Sequence, residues 1–163
     1  MKRAWTSSGG RRERPWSGSM AELPIRRIEA RTYCHATEAE ERVAAALLFA
    51  VPEGETSREE LEGHFGNPLV RLTRRVEKRP GIRAVWERWS AAGIPAAIAR
   101  DVEARVDEDG VLHFRLDKQA AYQERLELAK DSDPIDVRLK LIAYPAKPAE
   151  ARRVAHSILA EAP

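Results

Sequence analysis

The stretch LHFRLDKQAAY, residues 112–122, joins two hydrophobic patterns at one polar residue. Apolar residues occupy every second position from Leu112 to Leu116, which is the period of a β-strand with one buried face. Asp117 then suits the N-cap of a helix, and good helix formers follow it. We therefore predict a strand that passes directly into a short helix at a polar corner.

Strand and helix patterns recur along the rest of the chain. Strand alternation is found at 25–35, 69–77, 112–117, 125–129 and 135–144. Helical spacing is found at 37–50, 57–61, 83–92, 95–106 and 149–162. At least one pair of successive strands is joined by a turn without a helix. The order therefore predicts an α+β fold, with a mainly antiparallel sheet of about five strands and helices packed on one face.

Two of these helices carry specific local predictions. Thr37 and Glu40 have the spacing of a capping box, so the first helix is expected to begin at Thr37. Trp86 and Trp89 lie about one turn apart on the helix at 83–92, where two indoles could form a platform for base stacking. Tryptophans at this spacing are more often part of a core, and we expect them in the core here.

Length and composition exclude several classes of protein. With 163 residues, of which 43% are apolar and 33% charged, the chain has the character of one soluble globular domain. No run of about 18 apolar residues is present, so we expect no membrane segment. Cys34 is the only cysteine and falls on the buried side of its strand. One cysteine gives no disulfide framework and no zinc cluster, and it favours a reducing, cytoplasmic location.

Charge is distributed unevenly along the chain. Residues 1–20 contain five Lys or Arg and one Glu, are rich in Gly and Ser, and lack apolar periodicity. We predict a disordered basic tail at 1–22 before one α+β domain at 23–163. This tail is either an arm that follows a nucleic-acid backbone or a leader ahead of Met20. Residues 21–163 contain 23 Lys or Arg and 25 Asp or Glu, so only local clustering of cations could support nucleic-acid binding by the domain.

The strand positions that alternate with the apolar ones are rich in cations. Seven of them are Lys or Arg and two are Glu, in the set Arg27, Glu29, Arg31, Tyr33, His35, Leu69, Arg71, Thr73, His113, Arg115, Arg125, Glu127, Arg138, Lys140 and Ile142. A twisted open sheet can follow a phosphate backbone, and Tyr, His and Arg planes can stack on unpaired bases. The pattern favours an RNA-binding face. The other interpretation is a solubilising face whose charges prevent edge pairing.

We predict that RNA contacts come from this face and from the start of the short helix. Lys118 and Gln119 lie at that start, where side chains and backbone N–H groups could bind phosphate. The predicted RNA-binding residues are Arg27, Arg31, Tyr33, His35, Arg71, His113, Arg115, Lys118, Gln119, Arg138 and Lys140.

Four pieces of the chain carry specific motifs: CHATEAEERV at 34–43, LEGHFGNPLVRL at 61–72, LHFRLDKQAAY at 112–122 and VRLKLIAYPAK at 137–147. In this order they resemble the archaeal RNA-binding family described as a predicted exosome subunit. The resemblance covers roughly residues 25–155 and becomes specific when the pieces are taken together. Its motif residues correspond here to Cys34, His35, Thr37, Glu62, His64, Gly66, Asn67, Pro68, Asp117, Lys118, Gln119, Tyr122, Tyr144, Pro145 and Lys147.

The resemblance implies a fold, a role and a set of partners. The fold is an α+β arrangement similar to the ribosomal protein that carries 5S rRNA, and the role is RNA binding in RNA processing or degradation. The implied partners are RNA and the exosome or other RNA-processing proteins, and no catalytic residue is carried over. This chain departs from the family in the segment before Ile25 and at 123–125, where a glycine-containing turn is expected.

Two alternatives to RNA binding remain open at this point. The first is a nuclease: if the strands of His35 and His113 are neighbours, the pair could act as acid and base in metal-independent RNA cleavage. Arg115 or Lys118 would then stabilise the phosphate. The second is a protein-interaction module whose open face docks an acidic partner.

No metal site, cofactor or catalytic residue is predicted. The acidic turn at 107–110 lacks the spacing of an EF-hand loop. Glu60 and His64 give half of a helical metal site and no more. We therefore predict a non-enzymatic, cytoplasmic RNA-binding accessory protein, and the sequence gives no oligomeric state.

Overall fold

The computed structural model describes residues 23–130 and 133–162, and the predicted tail at 1–22 lies outside them. Five strands and six α-helices are found in this part of the chain. Their order is β1 (Ile25–His35), α1 (Glu40–Ala50), β2 (Glu55–Glu62), β3 (Pro68–Val76), α2 (Arg79–Ala91), α3 (Ile94–Ala99), α4 (Val102–Arg105), β4 (Val111–Asp117), α5 (Lys118–Tyr122), β5 (Pro134–Leu141) and α6 (Pro148–Glu161).

The strands form one antiparallel sheet in the order β2-β3-β1-β5-β4. The central strand β1 is 11 residues long and pairs with β3 on one side and β5 on the other. Helices cover one face, so the predicted α+β fold is confirmed. Among the described residues, no helix combines the length and the hydropathy that a membrane span requires.

The core lies between the sheet and the helices. Trp86 and Trp89 are 1% and 0% exposed, which confirms the core interpretation and removes the stacking platform. The Trp89 indole N–H donates to the carbonyl of Ala50 at 2.9 Å, and its ring meets Phe114 edge to face at 5.2 Å between centroids. The N–H of a buried indole usually has such a partner, whereas the N–H of Trp86 has none among the described residues. Cys34 is also buried, as its strand position predicted.

One predicted helix is a strand. Residues 57–61 lie in β2, which pairs along its whole length with β3, from Glu55 opposite Arg75 to Glu62 opposite Pro68. Glutamates favour helix over strand, but pairing with a neighbouring strand outweighs local preference. Because β2 is an edge strand with largely exposed side chains, its charges also oppose edge-to-edge association.

Three further predictions are wrong in detail. Residues 125–129 do not form a strand, and only an isolated bridge joins Leu128 to Leu116. The fifth strand of the sheet is β2 instead. The helix predicted at 95–106 is divided into α3 and α4 because Asp101 has a non-helical backbone. The first helix begins at Glu40 with Ala39 as N-cap and no side-chain cap, so Thr37 does not start a capping box.

The polar corner forms as predicted. The Asp117 carboxylate accepts a hydrogen bond from the backbone N–H of Ala120 at 2.8 Å and caps α5. At the other end of β4, the Asp107 carboxylate accepts from the N–H groups of Asp109 and Val111 at 2.8 and 3.0 Å. These two caps fix both ends of β4, and with them the direction of its outward side chains.

Candidate nucleic-acid interface

The face of the sheet away from the helices carries the predicted cations in register. His113 on β4 lies opposite Arg138 on β5, and Arg138 lies opposite Glu29 on β1. One pair further along, Arg115 lies opposite Asp136, which lies opposite Arg31. We call this side of the sheet the open face. Its side chains on β1, β4 and β5 line a pocket of about 220 Å³.

Three guanidinium groups on the open face are outside any ion pair of the described residues, although two of them lie opposite a carboxylate on the neighbouring strand. Arg27, Arg31 and Arg138 form no ion pair with any residue in the described ranges. The Nε atom of Arg31 is buried and has no hydrogen-bond partner among the described residues. An unsatisfied buried donor is costly unless a ligand or water supplies the acceptor. The centre of the open face is therefore chemically suited to an anion.

Other cations of the open face are already neutralised. Arg71 contacts Glu59, and the hydrogen bonds that its guanidinium makes with Glu59 and Tyr33 raise the pKa of Arg71. Arg115 lies 3.1 Å from Asp136, with both side chains largely exposed. Exposed ion pairs of this kind contribute little to stability and are easily exchanged for a phosphate.

The set of residues on the open face differs in part from the set that the sequence predicted. Since β2 is a strand, Glu55 and Glu59 join the face, and its cations gain Arg75. Seven cations and four acidic residues then lie on the strands: Arg27, Arg31, Arg71, Arg75, Arg115, Arg138 and Lys140 against Glu29, Glu55, Glu59 and Asp136. Residues 125–127 and Ile142 lie outside the strands. Most of the free positive charge is therefore on the half formed by β1, β5 and β4.

The two histidines of the nuclease alternative are far apart. Strand β5 lies between β1 and β4, and the β1 residue level with His113 is Glu29, six positions from His35. Two strand spacings and six residues of strand separate the imidazoles by roughly 20 Å. The premise that their strands are neighbours is wrong, so His35 and His113 do not form an acid-base pair.

Each histidine has a carboxylate partner of its own. His113 Nε2 lies 2.7 Å from Asp107 Oδ2, and His35 Nε2 lies 3.6 Å from Asp133 Oδ1. Burial by itself raises the pKa of Asp107, but the hydrogen bonds from His113 and from two backbone N–H groups outweigh it and lower this pKa. Both imidazoles are held at the rim of the open face, where they can contact a ligand.

Lys118 belongs to the interior of the protein. Its side chain is 5% exposed, and its ammonium donates to the Tyr33 carbonyl at 2.9 Å and lies 3.1 Å from Glu38 and 2.6 Å from Asp133. These three acceptors account for the three N–H groups of the ammonium. The prediction that Lys118 binds phosphate is therefore not supported by its position, whereas its neighbour Gln119 is exposed.

The two carboxylates that contact Lys118 also belong to the one cluster of potential metal ligands in the described part of the chain. Ligand atoms of His35, Glu38 and Asp133 lie within 4.8 Å of one another. The Lys118 ammonium contacts two of these three groups and supplies the cation that the carboxylates require. Glu60 lies on β2, so the helical spacing assumed for it and residue 64 does not arise.

Three exposed aromatic residues of the described ranges were not among the predicted contacts: Phe65, Tyr122 and Tyr144. Phe65 is 92% exposed at the tip of the β2–β3 hairpin, and Tyr144 is 79% exposed after β5. The signal for Phe65 was the run EGHFGNP, whose two glycines, asparagine and proline require an irregular backbone. Such a turn can hold a side chain away from the core.

Fold and site together define an α+β protein whose antiparallel sheet has helices on one face and a guanidinium-rich surface on the other. Residues 27–141 match the model of a family described as RNA binding, and the chain belongs to this RNA-binding family. The matched region contains all the predicted contact residues from Arg27 to Lys140.

Similar proteins come from archaea. The chain is 33% identical over 136 residues to RNA-binding protein PAB1135 of Pyrococcus abyssi, covering 77% of this chain and 87% of that protein. Mth689, a DUF54 protein from Methanothermobacter thermautotrophicus, has a similar structure with a TM-score of 0.73 at 34% identity, covering 83% of this chain and 98% of the other. A UPF0201 protein from Methanococcus jannaschii shares the fold at 18% identity, with a TM-score of 0.59 over 80% and 92% of the two chains.

Proposed function

We propose that this protein binds RNA through the open face, with Arg31 and Arg138 at the centre of the contact. The observation that carries the proposal is that guanidinium groups without ion-pair partners among the described residues lie on the adjacent strands β1 and β5 of a helix-free sheet face. Membership in the RNA-binding family, and the similarity to an RNA-binding protein of Pyrococcus abyssi, support the nature of the ligand.

The chemistry of the face suits a phosphate backbone with accessible bases. Guanidinium groups bind phosphate oxygens through paired N–H groups, and each neutralised phosphate releases a counterion. Their planes also stack on bases and contact ribose hydroxyls. The remaining contacts come from the rim and neighbouring strands: Arg27, Tyr33, His35, Arg71, His113, Arg115, Gln119 and Lys140.

RNA binding titrated by fluorescence anisotropy at several salt concentrations tests the proposal. Arg31→Ala and Arg138→Ala should each weaken binding and reduce the slope of log K against log salt by about 0.7, the value for one single-strand phosphate contact. Arg83→Ala is the matched control, since Arg83 is an exposed arginine on α2, which packs on the opposite face of the sheet. If all three variants behave alike, the open face is not the RNA-binding surface.

A competition experiment distinguishes RNA binding from the docking of an acidic protein partner. A polyglutamate chain matched to the RNA in charge should displace it poorly, because it offers neither bases nor ribose hydroxyls. Equal displacement would favour the protein-interaction alternative.

We propose no catalytic role for the face. RNA incubated with the wild type should remain intact, and His35→Ala and His113→Ala should leave this result unchanged. From the family resemblance we further propose an accessory role in cytoplasmic RNA processing or degradation, with the exosome as a candidate partner. Reciprocal copurification with exosome subunits, before and after RNase treatment, tests that association.

A further inference from the structure

The β2–β3 hairpin holds its tip in a defined conformation. The N–H of Gly63 donates to the carbonyl of Asn67 at 2.7 Å, and the N–H of Gly66 donates to the carbonyl of Gly63 at 3.0 Å. Between these bonds, Phe65 has φ 65° and ψ 20°, and Gly66 has φ 76°. The tip is thus a hydrogen-bonded turn that includes Phe65.

A phenylalanine at position 65 costs free energy for two reasons. The left-handed backbone region is uncommon for a residue other than glycine and is a strained conformation for a bulky side chain. The ring also remains 92% exposed, more than any other large hydrophobic residue of the described ranges, with Tyr144 at 79% and Leu48 at 50%. A strained and exposed aromatic residue is a candidate for contact with a ligand.

The open face changes character toward this hairpin. In register, Leu61 on β2, Leu69 on β3 and His35 on β1 form its last row, and Tyr33 lies one row before them. Along β1 this end of the face carries aromatic side chains, and the Arg71 guanidinium beside Tyr33 is paired with Glu59. The guanidinium groups outside ion pairs begin at Arg31. From Arg31 to His35 is about 13 Å along the strand. A bound strand that followed β1 would therefore leave the guanidinium groups and reach an aromatic end.

We propose that Phe65 stacks on an unpaired base of the bound RNA, which makes the ligand a single-stranded segment. This inference rests on the proposed function and adds the strandedness of the ligand to it. Aromatic rings stack on bases whose faces are free, and bases within a duplex do not offer their faces to a side chain. The phosphates would lie on the arginines of β1 and β5, and a base would reach the hairpin tip.

Affinities for a single-stranded RNA and for a blunt duplex of the same length test this assignment. Phe65→Ala should weaken binding of the single strand by roughly five- to a hundredfold, the range for loss of one stacked base, and leave duplex binding unchanged. Phe65→Trp should restore single-strand affinity, because stacking requires only an aromatic ring. Leu48→Ala is the matched control, since Leu48 is an exposed apolar residue on α1.

The results separate the stacking assignment from RNA binding itself. If Phe65→Ala binds the single strand as tightly as Leu48→Ala while Arg31→Ala is still weakened, stacking is refuted and the proposed function stands. Equal losses for single strand and duplex also refute it. If neither Arg31→Ala nor Phe65→Ala alters binding, both proposals fail. Urea denaturation of each variant checks that a loss of binding is not a loss of folding.

Discussion

The ammonium nitrogen of Lys118 lies 3.1 Å from a carboxylate oxygen of Glu38, and this contact ties the start of α5 to the segment between β1 and α1. A buried ammonium is stable only when its donors are satisfied. The Tyr33 carbonyl supplies another acceptor at 2.9 Å. Lys118 therefore fastens the corner that follows β4 to the end of the central strand.

Replacing Lys118 should affect stability and not RNA affinity. In Lys118→Met, the loss of these charge-assisted hydrogen bonds should lower the free energy of unfolding by about 1–3 kcal/mol. Urea denaturation measures this change, and RNA binding at a temperature where both proteins are folded should match the wild type. Gln119→Met, at the exposed neighbouring position, is the control for stability. Weaker RNA binding with unchanged stability would assign Lys118 to the ligand.

Arg74 is a second cation that is buried in the folded protein. It is 8% exposed, and its guanidinium donates to the carbonyls of Val51 and Glu53 at 2.6 and 2.8 Å and to the Thr56 hydroxyl at 2.6 Å. Arg74→Lys should lower the free energy of unfolding by about 2 kcal/mol, because one ammonium cannot reproduce the planar fork. The chemical denaturation midpoint reports this loss. Arg75→Lys, the exposed neighbour, should change stability little, and an equal loss there would contradict the argument.

The end of α5 explains the departure from the family at 123–125. The N–H groups of Arg125 and Glu124 donate to the carbonyls of Ala120 and Ala121 at 2.8 and 3.0 Å, the bonding of a Schellman motif. Glu124 has φ 63°, which is the conformation that normally selects glycine. The geometry expected of a glycine-containing turn is thus present without the glycine.

Glu124→Gly should therefore stabilise the protein. Relief of the left-handed strain outweighs the added freedom of the unfolded chain, and we expect a gain of about 0.5–1 kcal/mol. A rise in the melting temperature measures it. The control Gln123→Gly, at a residue with φ −90°, should instead lose stability. A loss at both positions would show that the φ of Glu124 does not cost free energy.

Asp107 should make the protein sensitive to acid. Because its folded pKa is lowered below the ordinary 3.8, its charged form contributes stability above about pH 4, and this contribution is lost as the pH falls through the folded pKa. Asp107→Asn keeps an oxygen that can accept the backbone N–H groups but does not titrate. Urea denaturation should show a larger free energy of unfolding for the wild type than for Asp107→Asn at about pH 6. This difference should become smaller below about pH 4. A difference independent of pH would refute this role.

The local pattern of apolar and capping residues was sufficient to predict much of the fold. The alternation around Phe114 predicted which side of β4 is buried, and the spacing of Trp86 and Trp89 predicted a core position. Asp117 was recognised as a cap because capping depends on residues only three positions apart. These features need no knowledge of the neighbouring elements.

Features that depend on neighbouring strands escaped prediction. Residues 57–61 became a strand because β3 offered a free edge, and His35 and His113 were separated because β5 lies between their strands. Lys118 and Arg138 look equivalent as cations in the sequence, yet one is buried by acidic neighbours brought from distant parts of the chain and the other faces solvent.

The sequence by itself determined the α+β class, the faces of most strands and the stock of cations, because periodicity and capping are local properties of the chain. Only the tertiary structure decided which of those cations are free. That outcome depends on strand order and register, which place Arg31 and Arg138 diagonally across β1 and β5 on the open face and give Lys118 and Arg74 internal partners.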